Sequence, residues 1–277
     1  MTVRPPAVAG SWYPGTAPAL ARAVDAYLGR VAPDAARFDA LTALVAPHAG
    51  LMYSGPVAAH AYDLLRRHTF EVIVLVGPSH FVAFDGVAIQ RRGGFETPLG
   101  VAPIAEECTA ALLAATPIVR EMPAAHVREH SLEMQLPFVQ HLAGSVPIVP
   151  LVMGHQTAET ARRLSDALAV VLRGRRALLV ASTDLSHYHD APTASRLDHV
   201  VLDHVSRLDA DGLQQALDRN PDHACGGGPT VAVMRAARAL GARDAVVLAY
   251  ADSGDVSGDK SSVVGYMAAA FGNLSSD

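Results

Sequence analysis

The chain has 277 residues, half of them hydrophobic, and a formal net charge of -5 from 27 acidic and 22 basic side chains. That supplies apolar material for a large α/β core, yet no apolar run approaches the roughly 20 residues of a membrane-spanning helix, and the opening residues lack the apolar centre of a signal peptide. Basic charge is scattered and, apart from Lys260, all arginine, so no basic stripe suits nucleic acid; the expectation is one soluble, cytoplasmic domain over residues 1–277 with no nucleic-acid or membrane partner.

Residues 4–14 are too rich in proline and glycine for regular structure, but they carry the only tryptophan, Trp12, beside Tyr13. Such an aromatic pair either packs the terminus onto the body of the fold or walls a pocket. Helical spacing follows over 17–29, with Leu20, Val24, Tyr27 and Leu28 on one side. Residues 41–46 read as a buried strand broken by Pro47 and followed by His48. Residues 50–56 read as a turn, with Pro56 in the first turn of a helix reaching about residue 67.

Residues 71–77 are an uninterrupted apolar run, the mark of a strand buried on both faces. Gly77 and Pro78 stop it, which leaves Ser79 and His80 just past its carboxyl end, where open α/β sheets place their ligand sites. The two strands and the helix between them form a βαβ unit, whose right-handed crossover makes the strands parallel and brings His48 and His80 to one edge. A short strand is expected at 86–90, then a polar loop over 91–100 long enough to act as a lid.

A helix over 103–115 holds Cys108, which reads as a small buried apolar residue. Residues 129–137 read as the opening of another helix, with Ser131 or a neighbour as its cap. Glu129, His130 and Glu133 crowd one turn there, so some must face a polar site or solvent. Strand 148–153, helix 157–173 and strand 177–181 continue the α/β period.

The segment after that strand, residues 182–189, is dense in ligand-bonding groups, and a helical turn there would put Asp184 and His187 on one face. Helices are expected over 192–208 and 210–219. Cys225 then falls near the N-terminus of a helix reaching about residue 240, where the dipole favours thiolate over thiol. Strand 245–250 and the apolar run 262–271 flank a second polar loop, 252–260, that could close over a site. Cys108 and Cys225 lie far apart among unlike neighbours, which argues against a disulfide framework.

His48, His80 and Cys225 thus stand one step beyond a strand or before a helix, with Asp184 and His187 as further polar groups. Two neutral imidazoles and one thiolate make a three-ligand set with open positions, suited to reactive Fe(II), Cu or Zn rather than to a closed structural site. No local motif fixes the geometry, so solvated strand ends account for the same residues equally well.

Seven blocks in order resemble the successive motifs of the Memo family: Val8 to Pro14, Ala46-Pro-His-Ala-Gly50, Gly77-Pro-Ser-His80, Glu129 to Phe138, Ser182-Thr-Asp-Leu-Ser-His187, Ala224 to Pro229, and Tyr250 to Tyr266. Prokaryotic members of that family are called AmmeMemoRadiSam system protein B, and the family is similar in fold to class III extradiol dioxygenases. The resemblance implies a single α/β domain with a central, largely parallel sheet flanked by helices. It implies a metal pocket lined by His48, His80 and Cys225, with Asp184 and His187 beside it in catalytic roles. It also implies a small-molecule or peptide substrate and work alongside radical SAM and AMMECR-type proteins. Cys225 stands where the dioxygenases complete their iron triad with a carboxylate. Three accounts follow from this pocket: an Fe(II) or copper oxidoreductase in which His187 moves a proton, a binding module that has lost turnover, and a zinc hydrolase with Asp184 or Glu129 as base.

Overall fold

The computed structural model describes residues 3–32 and 36–275. These form twelve strands: β1 Val3–Arg4, β2 Phe38–Ala46, β3 Val72–Pro78, β4 Val87–Ile89, β5 Gly94–Thr97, β6 Gly100–Pro103, β7 Val119–Glu121, β8 Ile148–Met153, β9 Ala177–Ser182, β10 His187–His189, β11 Asp244–Asp252 and β12 Val263–Leu274. Nine of them make one sheet in the order β10-β12-β2-β9-β3-β8-β4-β7, with β11 paired to the free side of β12. The α/β architecture is as expected, and the sheet is mixed. β2, β9, β3 and β8 run parallel at its centre, whereas antiparallel pairings join β12 to β2, β10 and β11 on one flank and β4 to β8 on the other.

Both faces of the central strands are buried. Along β3, Val72, Val74 and Val76 enter one core with residues of the helices Ala158–Val171 and Gly227–Ala239. Ile73 and Leu75 enter the other, with the helices Ala17–Leu28, Leu51–Tyr62 and Leu136–Ala143. Every residue of β3 is buried, which is why its sequence shows no polar alternation. No helix among the described residues is long and apolar enough to cross a membrane.

β2 and β3 are parallel, but β9 lies between them and pairs with both. The crossover therefore skips one strand position, which later fills from the second half of the chain. The helix after β2 begins at Leu51, with Pro56 inside it. The Trp12 carbonyl accepts the Leu51 amide at 2.8 Å, so tertiary contact starts the helix earlier than the proline suggests.

Neither polar loop is a lid. Residues 94–103 form the β5–β6 hairpin, which with β1 makes a separate three-stranded sheet. Phe95 anchors it, buried beneath the Arg4 guanidinium at 4.9 Å. In the second loop, a short helix Gly254–Ser257 is closed off by Lys260, which pairs with Asp252 at 2.7 Å and Asp255 at 2.6 Å. Residues 129–132 are irregular; a 3-10 turn, Glu133–Gln135, leads into Leu136–Ala143. Ser131 caps nothing, because its hydroxyl donates to the Pro78 carbonyl at 2.9 Å.

Candidate metal centre

Pro47 ends β2 and sets His48 at the carboxyl edge of the sheet, almost wholly buried. Asp184 accepts the His48 amide at 2.7 Å and the Ala49 amide at 3.3 Å, which fixes the backbone. The ring is fixed by Ser182, the last residue of β9, whose Oγ lies 2.9 Å from His48 Nδ1. That hydroxyl has a single proton, and 2.6 Å away is the Ser131 carbonyl, which can only accept it. Ser182 therefore accepts from both His48 Nδ1–H and Gln135 Nε2, the latter at 2.8 Å. The tautomer follows: His48 Nε2 keeps its lone pair and faces Cys225 Sγ at 3.3 Å. Burial and the neighbouring His80, His130 and His187 hold the His48 pKa well below the usual histidine range, so the ring is a neutral donor.

His80 is prepared in the same way by a different group. Glu129 accepts the His80 amide at 2.6 Å and His80 Nδ1–H at 2.8 Å, and it also accepts the amides of His130 and Ser131, each at 2.9 Å. Burial alone would raise this carboxyl, but the His80 contacts and the Ser131 amide hold it down at about 2. The carboxylate thus fixes His80 with Nε2 free, the usual support for a ligating imidazole. Gly77 makes the approach feasible, since a Cβ there would meet Ser131 Oγ at 2.7 Å.

Cys225 arrives from the opposite half of the chain, two residues before the helix Gly227–Ala239. Gly226 packs flat on the end of β9, where a Cβ would meet the Ser182 carbonyl at 2.3 Å. The Gly226 amide donates to Thr183 Oγ1 at 2.9 Å, and the Asp184 amide points at Sγ from 3.3 Å. Burial, followed by the charge of Asp184, raises the Cys225 thiol, which opposes the pull of the helix terminus toward thiolate. The ligand atoms of His48, His80 and Cys225 nevertheless lie within 4.8 Å of one another. Two imidazole lone pairs and a sulfur converging in this way fit a single Fe, Cu or Zn ion, which would displace the thiol proton.

His80, Glu129 and His130 form a second group of the same compactness. It suits a cation poorly, because four N–H donors already occupy the Glu129 oxygens. It supports His80 instead.

The ligand set opens into a cavity of about 420 Å³ lined also by Trp12, Ala49, His130, Asp184, His187, Tyr188 and Val264. Both readings of the N-terminal aromatic pair hold. Tyr13 is buried with its hydroxyl on Glu133 at 2.6 Å, while Trp12 stands against the His130 ring at 4.4 Å and walls the cavity. His187 faces the cavity outside the ligand group, its Nδ1–H donating to the Leu185 carbonyl at 2.8 Å and its Nε2 free. Asp184 does not orient it: no helical turn forms, and the carboxylate serves His48. Burial pushes Asp184 up to about 6 against the pull of the His48 and Ala49 amides. Tyr188, 78% exposed at the rim, has φ +62°, a left-handed strain that tends to collect at functional sites.

Residue chemistry had singled out all five of these site positions. It does not show Ser182 as the tautomer lock, Glu129 as the support of His80, or His130 and Tyr188 as cavity wall. The crowding of Glu129, His130 and Glu133 was the available signal, although Glu133 turned inward to Arg4 at 2.6 Å.

A mixed α/β sheet with two histidines and one cysteine converging at its carboxyl edge defines a candidate metalloprotein with an open pocket. Residues 4–270 match the model of the Memo-like protein family, and the chain belongs to that family. A MEMO1 family protein of Ignicoccus hospitalis is 39% identical over 98% of this chain and 99% of its own length. One from Methanothermobacter thermautotrophicus is 38% identical over 95% and 98%. Among solved structures, an uncharacterized protein of Escherichia coli K12 shares the fold, with a TM-score of 0.54 at 17% identity, over 82% of this chain and 99% of that one.

Proposed function

We propose that this Memo family protein is a metal-dependent oxidoreductase whose ion is held by His48, His80 and Cys225. The observation that carries the reading is the convergence of their ligand atoms within 4.8 Å, with both imidazoles locked by Ser182 and Glu129 to leave Nε2 free. Fe(II) is the metal we favour, from the likeness to extradiol dioxygenases; the softer thiolate also admits copper or zinc. Bound iron or copper would supply redox chemistry with dioxygen, and zinc a Lewis acid only.

The chain's own groups have separate duties. His187 Nε2, free of any protein partner, takes or gives a proton at the cavity wall. Trp12, His130 and Tyr188 supply flat apolar surface for a small-molecule or peptide substrate. The hydrolase account weakens here, because Asp184 and Glu129 are both engaged by backbone amides. The binding-module account draws support from the exposed aromatic rim. Cooperation in the cytoplasm with radical SAM and AMMECR-type proteins is the setting the family likeness suggests.

The test is metal analysis of protein purified without a histidine tag, then visible absorption of the anaerobic Fe(II)-loaded protein as oxygen is admitted, with catechols and aminophenols as trial substrates. A spectral change that depends on Cys225 supports the oxidoreductase. Metal-free protein that takes up none of Fe(II), Cu or Zn refutes it.

A further inference from the structure

The two sheets end in four short strands and one long one. β7 has three residues, two of them exposed and charged; β10 has three, β1 two, and β6 four with a terminal proline. These are the usual ways of blunting an edge. β11 is different: nine residues, Asp244-Ala-Val-Val-Leu-Ala-Tyr-Ala-Asp252, with no proline and no charge between its ends. It pairs only with β12. Among the described residues, that ladder is the only backbone hydrogen bonding of residues 245–251.

The exposure of β11 has an unusual form. Ala245, Val247 and Tyr250 pack into one core, and Val246, Leu248, Ala249 and Ala251 into the other. The helices Ala191–Ser206 and Leu51–Tyr62 both contact the strand. Yet all nine residues remain half-buried. The outer backbone edge of the strand, about 30 Å at 3.4 Å per residue, meets no other strand among the described residues. A bulge at Leu248 adds twist but leaves four regularly paired residues on either side.

We propose that this edge pairs with the same edge of a second copy of the chain, joining two sheets antiparallel across a two-fold axis near Leu248. A strand edge is self-complementary in that arrangement, since each unpaired N–H meets an unpaired C=O. At each end Asp244 then faces Asp252 of the other copy, and Arg243 and Lys260 are the cations that flank this pair. Such a register sets Arg243 and Asp244 of one copy against the other copy's Asp252, Asp255 and Lys260. Arg243, exposed at the start of the strand, then meets an acidic end in which Lys260 already offsets Asp252. Like carboxylates at the two ends are thereby interleaved with cations. The metal cavity lies apart from this contact: no residue of β11 lines it.

Sedimentation equilibrium of the full chain, from about 1 to about 100 micromolar, is the first test, because a self-association shifts with concentration by mass action. The expected limit is twice the 29.0 kDa of one chain. Amide exchange of the unmodified protein should slow at residues 245–251 over the same range. Arg243→Glu, at an exposed position, sets a further carboxylate against Asp252 and Asp255 of the other copy and should weaken the dimer at least tenfold. A monomer mass throughout, or a dimer with unchanged exchange at 245–251, overturns the proposal.

Discussion

Replacing Ser182 by alanine tests how the pocket is prepared without touching a proposed ligand. The hydroxyl joins three fully buried neighbours: it accepts from His48 Nδ1–H and from Gln135 Nε2, and donates to the Ser131 carbonyl. In Ser182→Ala, Gln135 keeps its second partner, the Pro47 carbonyl at 3.1 Å, but His48 Nδ1–H and the Ser131 carbonyl lose theirs. Each buried unpaired group costs about 1–3 kcal/mol, so with two of them the apo-protein should lose roughly 2–6 kcal/mol. Metal binding should suffer separately. With no acceptor at Nδ1 the imidazole can rotate or change tautomer, and supports of this kind are typically worth 10- to 100-fold in metal affinity, about 1.4 to 2.8 kcal/mol. Urea unfolding of apo-protein gives the first quantity, and competition titration with a chelator at a fixed pH gives the second. Lower stability with unchanged metal affinity would refute the tautomer argument, and His48 would then need no lock.

Glu129→Gln turns an amide NH2 toward the His80 donors, so metal affinity should fall 10- to 100-fold in the same titration while His130 stays in place. Cys225→Ala should lose more than 100-fold in affinity for Fe(II), Cu and Zn by equilibrium dialysis, with apo stability changed by only about 1 kcal/mol; full retention of metal would remove the thiol from the ligand set. His187→Ala should keep its metal, measured by mass spectrometry, and lose substrate turnover. His126 offers a pH prediction away from the metal. Its ring is buried, and burial, helped by Arg4, lowers it to about 4. The folded state therefore favours the neutral ring: its full stability is present above about pH 6.5 and is lost as pH falls toward 4, by about 3 kcal/mol at most. Urea midpoints between pH 7 and pH 4 should fall less for His126→Leu than for the unmodified chain.

The strands that carry the site were legible because burial on both faces leaves a continuous apolar run, and a proline or glycine marks where each stops. His48 and His80 followed from that rule, and Cys225 from the glycines that open a helix. What stayed hidden depends on contacts between distant segments. The 94–103 hairpin reads as a loop because its polar residues mask Phe95, whose burial under Arg4 and pairing with β1 come from distant segments. Asp184 was read through its local spacing to His187, whereas its partners are amides 136 and 135 residues away. For Cys225 the helix terminus is visible in the sequence, whereas the desolvation that opposes it comes from packing against Thr183 and Asp184.

The sequence drew attention to β3, but the contacts make β9 the organiser of the site. This strand enters late, between the two histidine-bearing strands, and its last residue and the two after it each grip a different part. Ser182 locks the His48 ring and ties in Ser131, whose neighbour Glu129 holds His80. Thr183 holds Ala46 through its amide and Gly226 through its hydroxyl. Asp184 accepts the His48 amide with its carboxylate and the Cys225 amide with its carbonyl. Side chains along a strand alternate faces, so a slip of one residue would exchange every one of these partners. The ligand set is therefore assembled only when β9 is seated in register, which couples the metal pocket to completion of the central sheet and not to any one loop.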